Sequence, residues 1–181
     1  MRSDFMEFAA ERIAAVGVWV LRFEFPYMAV GRKTPDRQPV LEAVYGAVAE
    51  HVRGHRHGPL VLGGKSMGGR IGSHVAASGG SVDGLAFFGY PLHPPGRPDR
   101  IRDAHLHDVR CPMLFVEGTR DPFCPLETLE KVRAGLNAPT ELLVIEDGDH
   151  SLKVRKSSGR GTDEAWAEAA DAVARWCLAL S

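Results

Sequence analysis

Short apolar runs alternate with segments of helical period along the whole of this 181-residue chain. The runs are almost continuously apolar, which is typical of parallel strands that helices cover on both faces. The predicted strands span 18–23, 60–63, 85–88, 113–117 and 141–145, and the predicted helices span 4–15, 40–55, 67–77, 126–136 and 162–180. No linker or internal repeat interrupts the alternation. We therefore expect one domain over residues 1–181, with an α/β fold built on a doubly wound, mainly parallel sheet.

A serine follows the second predicted strand, in the pentapeptide Gly64-Lys65-Ser66-Met67-Gly68. Gly-x-Ser-x-Gly after a strand predicts a tight strand-to-helix turn that presents the serine as a nucleophile. The flanking glycines fit such a turn, because it brings neighbouring backbone close. Gly-Lys-Ser also occurs in phosphate-binding loops, but such a loop needs a glycine where Pro59 stands, and Pro59 offers a phosphate no N–H. The sequence therefore disfavours nucleotide binding.

An aspartate and a histidine follow two later predicted strands. Asp121 comes after 113–117 and His150 after 141–145, and functional groups gather at the carboxyl ends of the strands in such sheets. We expect Ser66 as nucleophile, His150 as general base and then acid, and Asp121 as the group that orients the imidazole. The chain order Ser–Asp–His is that of α/β-hydrolases.

The N–H of Met67, directly after the nucleophile, is the predicted oxyanion-hole donor, with a second N–H from a loop after an earlier strand. Each member of the predicted triad also has a plain structural interpretation. Ser66 fits a simple turn, Asp121 fits a turn or helix cap before Pro122, and His150 fits a solvated loop.

The proline- and histidine-rich segment at 91–110, after the third predicted strand, departs from the alternation. We expect it to form a pocket wall, with Tyr90 and His93 as candidate lining residues. Lys65 is expected to be an exposed side chain at the rim. Asp147 and Asp149 are interpreted as turn residues, although Asp149 is also a candidate to orient the histidine loop.

Composition and charge bear on the partners, cofactors and compartment of the protein. A formal net charge of −1 gives no electrostatic footprint for nucleic acid or for an anionic membrane. The three cysteines show neither a disulfide framework nor a zinc pattern, and no signal or membrane-spanning segment is evident, so we predict a cytoplasmic protein. His51 and His55 have a spacing that could bind a metal, but a solvated helix face is favoured. We expect no cofactor and a small-molecule acyl substrate, while the oligomeric state stays open.

Several stretches resemble one family, the small α/β-hydrolases related to dienelactone hydrolases. They include the Gly-Lys-Ser-Met-Gly turn and a Tyr-Pro-Leu-His-Pro-Pro block, and they lie at 21–28, 63–70, 89–96, 118–123 and 146–150. Eukaryotic relatives include a testis-expressed protein and a hydrolase-like domain in a subunit of a histone acetyltransferase complex. The resemblance implies the triad Ser66, Asp121 and His150 but no particular substrate, and some members are thought to act as interaction domains.

The chain departs from this family at its amino terminus. Members usually begin with a further strand and a His-Gly-Ala-Gly-like loop before the first helix, and that loop supplies the second oxyanion donor. Here the first predicted helix follows Met1 almost directly, so we expect an upstream start or an N-terminally shortened, weakened member. Loss of one donor typically costs about a hundred- to a thousandfold in rate.

The prediction is a serine hydrolase acting on a small ester or related acyl bond; the alternative is a binding or scaffold module with a hydrolase fold.

Overall fold

A computed structural model of the protein describes residues 3–180. Four parallel strands form one sheet in the order β1–β2–β3–β4. The strands are β1 (Val61–Lys65), β2 (Gly84–Phe88), β3 (Met113–Gly118) and β4 (Thr140–Ile145). The helices are α1 (Asp4–Ala15), α2 (Pro26–Ala29), α3 (Gln38–His55), α4 (Met67–Ala77), α5 (Leu126–Ala134) and α6 (Thr162–Ala179), and two 3₁₀ helices span Ala104–Asp108 and Lys156–Ser158.

Helices cover both faces of the sheet, which confirms the predicted doubly wound α/β class. Successive residues of a strand point to opposite faces, so each central strand contributes to two cores. Leu85 and Phe87 of β2 pack with side chains of α3, α4 and α5, whereas Ala86 and Phe88 pack with those of α1 and α6. The same alternation in β3 explains why these strands are apolar at nearly every position.

Local chemistry sets where several helices begin. The Ser3 hydroxyl accepts a hydrogen bond from the Met6 N–H at the start of α1. Pro26 and Pro39 occupy first-turn positions of α2 and α3, where a missing N–H does no harm. At the start of α6, the Glu164 carboxylate reaches back to the Gly161 N–H at 2.7 Å.

The predicted strand over 18–23 is wrong. That segment is irregular in the structure, and β1 is the edge of the sheet within residues 3–180. The physical reason lies partly in Tyr45 of α3, whose hydroxyl donates to the Gly63 carbonyl at 2.6 Å and accepts from the Gly63 N–H at 3.1 Å. Because the Tyr45 hydroxyl already bonds the Gly63 N–H and carbonyl, these groups at the centre of β1 are not free to pair with a further strand. The apolar Phe23 instead packs its ring on Tyr45, with centroids 4.9 Å apart.

Candidate active site

Ser66 lies in the tight turn between β1 and α4. Its backbone is in an unusual conformation for a residue with a side chain, with φ +54° and ψ −118°, and such strain is common at functional sites. A Cβ on Gly64 would approach the backbone of Gly68 and Gly69 to 2.9 Å, and one on Gly69 would approach the Gly64 carbonyl oxygen to 2.8 Å. The expected close approach is therefore present, but it requires glycine at 64 and 69, whereas a Cβ on Gly68 would meet open space.

The three predicted catalytic side chains meet at the carboxyl ends of the strands. The Ser66 Oγ lies 2.8 Å from the His150 Nε2, and the His150 Nδ1 lies 2.7 Å from an Asp121 carboxylate oxygen. Because a carboxylate can only accept, the proton belongs on Nδ1, which leaves the Nε2 lone pair free to accept from the serine hydroxyl. The other Asp121 oxygen accepts the Phe123 N–H at 2.8 Å, and Asp121 is only 5% exposed. This arrangement can remove a proton from Ser66.

Met67 is the first residue of α4, and the first N–H groups of a helix lack partners within the helix. Its N–H is therefore suited to an oxyanion, but that role stays a prediction. The loop to which the resemblance assigns the second donor would precede α1. The structure describes that end of the chain only from Ser3 onward.

Two glycines allow the acid and base loops to come together. Gly89, at the end of β2 with φ +66°, lies beneath the histidine–aspartate pair: a Cβ there would be 2.9 Å from the His150 carbonyl oxygen and 3.3 Å from its Nδ1. Gly118, at the end of β3, touches the backbone of Gly148 so closely that any Cβ would collide with it. No other residue type would fit at positions 89 and 118 without a shift of the neighbouring backbone. The pairing of Asp121 with His150 therefore depends on these two glycines.

An ion-pair clamp holds the histidine loop, and sequence reasoning missed it. Asp147 is buried; its carboxylate accepts hydrogen bonds from the Arg155 N–H at 2.8 Å and the Arg155 Nε at 2.7 Å. The Nε of Arg120 donates to the Asp147 carbonyl at 2.9 Å and also pairs with its carboxylate. The bonds from Arg155 lower the pKa of Asp147 below its usual range. Because Arg120 precedes Asp121, this clamp ties the acid loop to the base loop.

Tyr90 and His93 differ from their expected place on a pocket wall. Tyr90 has no exposed surface, and its N–H donates to the Glu117 carboxyl at 2.6 Å. Burial raises the pKa of Glu117 well above its usual range, which favours a neutral acid behind the site. His93 is also buried, against Phe123, whose ring is edge-on to His150 with centroids 4.7 Å apart. Tyr90 therefore supports the site from within the core and lines no open surface, and His93 is at most a buried neighbour.

A second serine–histidine pair lies behind the candidate site. The Oγ of Ser73 is 2.8 Å from the Nε2 of His105, and the Tyr90 hydroxyl lies 3.1 Å from the same nitrogen. Ser73 has no exposed surface, and among residues 3–180 no carboxylate pairs with His105. Burial lowers the pKa of His105 to about 3, so this imidazole is neutral. The pair ties α4 to the segment at 104–108, and the fully buried Ser73 hydroxyl is inaccessible to a substrate.

Over the described part of the chain, no group of three or more His, Cys, Asp or Glu side chains is arranged to hold a metal ion. Within the same residues, no helix has the length and apolarity needed to cross a membrane.

A Ser–His–Asp cluster at the carboxyl edge of a doubly wound parallel sheet is the arrangement typical of α/β-hydrolases. Residues 1–178 match the family model described as an alpha/beta hydrolase domain, and the chain belongs to this family.

Solved structures share the fold. An α/β serine hydrolase homologue from Coxiella burnetii has a TM-score of 0.72 and 20% identity, over 94% of this chain and 74% of that one. An α/β serine hydrolase without a lid from Xanthomonas campestris has a TM-score of 0.71 and 21% identity, over 98% and 75%. Est1E from Butyrivibrio proteoclasticus, solved with ferulic acid bound, has a TM-score of 0.75 and 15% identity, over 98% and 84%. At these identities the likeness concerns the fold alone.

Proposed function

We propose that the protein is a serine hydrolase that cleaves a small ester or related acyl bond through an acyl-enzyme. The observation that carries the proposal is the continuous hydrogen-bonded chain from Ser66 through His150 to Asp121, with both distances below 2.9 Å. Membership of the alpha/beta hydrolase domain family supports the same reaction class. The strained backbone of Ser66 adds support, since it holds the hydroxyl at the strand end.

In the first step the Ser66 Oγ forms a bond to the acyl carbon while its proton passes to the His150 Nε2. The carbonyl electron pair moves to oxygen, and the Met67 N–H would stabilise that oxyanion. Collapse of the tetrahedral intermediate breaks the bond to the leaving group, which takes the proton from Nε2. Asp121 keeps the imidazole in the required tautomer and stabilises its cationic form.

The second step repeats the chemistry with water. His150 accepts a proton from water as the water oxygen bonds to the acyl carbon, and the imidazolium then returns that proton to the Ser66 Oγ as the ester bond breaks. The products are a carboxylic acid and free enzyme. Every proton is handled by groups of this chain.

Ester hydrolysis in two serine variants tests this proposal. We expect the protein to turn over 4-nitrophenyl acetate with a burst of 4-nitrophenol, and Ser66→Ala to reduce the rate to background. Ser73→Ala is the matched control, because Ser73 also contacts a histidine at 2.8 Å but is fully buried. Its kcat/KM should stay within about threefold of wild type. A folded wild-type protein with no turnover would favour a scaffold role, and equal losses in both variants would contradict Ser66 as nucleophile.

We further propose that the chain belongs to the dienelactone-hydrolase-related branch and acts in the cytoplasm. The motifs at 63–70 and 89–96 support the branch. Three cysteines that form no disulfide among residues 3–180 are compatible with a reducing compartment.

A further inference from the structure

Glu117 is the penultimate residue of β3, and it has no exposed surface. Its Oε1 accepts a hydrogen bond from the Tyr90 N–H at 2.6 Å. The other oxygen, Oε2, is buried and makes no hydrogen bond of normal geometry within residues 3–180; its neighbour is the weakly polar thiol of Cys124. Burial of a carboxyl group with so few partners is unfavourable, which calls for a reason why the core contains one.

The surroundings of this carboxyl group favour its neutral form. The titratable groups that face it are Asp121 and Cys124 of the loop after β3, and neither can carry a positive charge. Among the described residues, no Lys, Arg or His side chain forms an ion pair with Glu117. An ionised Glu117 would therefore put an unpaired negative charge in the core, near the Asp121 carboxylate. A neutral acid avoids this, and its carbonyl oxygen still accepts the Tyr90 N–H.

The bond from Tyr90 helps to hold the turn that lies beneath the catalytic pair. Gly89 directly precedes Tyr90, and its N–H donates to the Val116 carbonyl at 2.9 Å. The turn is thus attached to β3 at two successive residues, through the backbone of Val116 and through the side chain of Glu117. Gly89 is so close to the base that a Cβ there would be 2.9 Å from the His150 carbonyl oxygen. A shift of this turn would therefore displace the base.

We propose that Glu117 is a positioning residue of the active site, which as a neutral acid holds the turn at 89–90 beneath His150. This inference rests on the proposed hydrolase function. Glu117 touches none of the predicted catalytic side chains with a hydrogen bond and acts through the backbone of the turn. The neutral form serves the reaction as well, because a second negative charge near Asp121 would favour the protonated imidazole, which cannot accept the serine proton.

Two substitutions separate the hydrogen bond from the charge. Glu117→Gln retains an oxygen that can accept the Tyr90 N–H and is neutral at every pH, so kcat/KM for 4-nitrophenyl acetate should stay within about threefold of wild type. Glu117→Leu is similar in size but has no acceptor. It should lower kcat by about ten- to a hundredfold with little change in KM, because a misplaced base has an effect of this size.

Asp83→Leu is the matched control for the loss of a carboxyl acceptor. Asp83 directly precedes β2, and its carboxylate also accepts a backbone N–H, that of Leu60 at 2.7 Å. This bond lies at the amino ends of the strands, on the opposite edge of the sheet from Ser66. Asp83→Leu should lower the urea midpoint and leave kcat unchanged, which distinguishes a general loss of stability from a misplaced base.

The charge of Glu117 has two readouts of its own. If the side chain is neutral, Glu117→Gln removes no charge, and the acidic limb of the pH profile of kcat/KM should coincide with that of wild type. If it were ionised, the substitution would remove a negative charge from the core and shift this limb to lower pH by roughly one unit. The infrared difference spectrum between wild type and Glu117→Gln at neutral pH should contain the C=O stretch of a protonated carboxyl group.

A folded Glu117→Leu protein with the kcat of wild type would overturn the positioning role. If that variant does not fold, a Glu117→Gln protein that loses more than about tenfold in kcat/KM would overturn it equally. A displaced acidic limb, or a difference spectrum without the carboxyl band, would contradict the neutral acid. A wild-type protein that hydrolyses no ester would refute the proposed function and the positioning role together, whereas the infrared band needs no substrate and would still decide the charge.

Discussion

Gly89→Ala should strongly lower the rate of ester hydrolysis while leaving the protein folded. The added methyl group would lie beneath the catalytic pair, 2.9 Å from the His150 carbonyl oxygen, 3.3 Å from its Nδ1 and 3.5 Å from an Asp121 carboxylate oxygen. Ordinary contacts of a Cβ begin at 3.4 Å, so the histidine backbone must retreat by about 0.5 Å. That displacement pulls His150 away from both of its partners.

The expected magnitudes follow from this shift. Alanine in a left-handed conformation costs about 1–2 kcal/mol of unfolding free energy, and overpacking adds about 1–3 kcal/mol. Misplacement of a catalytic group by 1 Å lowers rates by about a hundredfold, so a 0.5 Å shift should lower kcat/KM by about ten- to a hundredfold. The loss should appear mainly in kcat, because the methyl group lies under the base.

Gly96→Ala provides the control for backbone strain. Gly96 also has a positive φ, +69° against +66°, but a Cβ there would meet nothing within 4 Å. Both variants are assayed on 4-nitrophenyl acetate, and urea unfolding confirms that each is folded. Gly96→Ala should lose stability but keep nearly full activity. Equal activity of the two alanine variants would refute the reasoning that contact with His150 is what matters.

Three further predictions concern the supports of the site. Asp147→Asn should lower the urea midpoint at neutral pH. Because pairing with Arg155 depresses the pKa of this carboxyl, the difference from wild type should be full above about pH 4 and should shrink steadily as the pH falls below it, so a constant difference would contradict this. Tyr45→Phe should cost about 1–3 kcal/mol of unfolding free energy, because it leaves the Gly63 N–H and carbonyl of β1 without their partner. Tyr27→Phe should cost less, since the Tyr27 hydroxyl has no hydrogen-bond partner among the described residues. Equal losses would argue against a stabilising bond from Tyr45 to β1. Burial lowers the pKa of His105 to about 3, so this imidazole takes up a proton on unfolding. The wild-type protein should therefore lose stability as the pH falls below about 6.5, and His105→Gln should reduce that loss. Identical pH profiles of stability would contradict this.

The candidate triad could be predicted from the sequence because, in a parallel sheet, a residue's place after a strand determines where it lies in the fold. Ser66, Asp121 and His150 each follow an apolar strand, and parallel strands place their carboxyl ends at one edge of the sheet. Three short local patterns were therefore enough to bring together residues that lie as many as 84 positions apart.

Other features depend on contacts that no local pattern reveals. The apolar segment 18–23 looks like a strand, but a strand also needs a partner edge, and the Tyr45 hydroxyl occupies the centre of that edge. Asp147 reads as a turn residue in Glu-Asp-Gly-Asp-His, and only its distance to Arg155 reveals a clamp. Tyr90 lies next to polar loop sequence, yet it is fully buried. In each case the deciding partner comes from another element of the fold.

The measurement that tests the account most directly is covalent labelling of the folded protein with a fluorophosphonate, followed by intact-mass analysis and peptide mapping. The phosphonyl group replaces its fluoride with the attacking serine oxygen, so the adduct marks the activated nucleophile. We predict one adduct per chain, located on Ser66, abolished in Ser66→Ala and retained in Ser73→Ala. A folded protein that gains no adduct, or an adduct on a serine other than Ser66, would contradict the account.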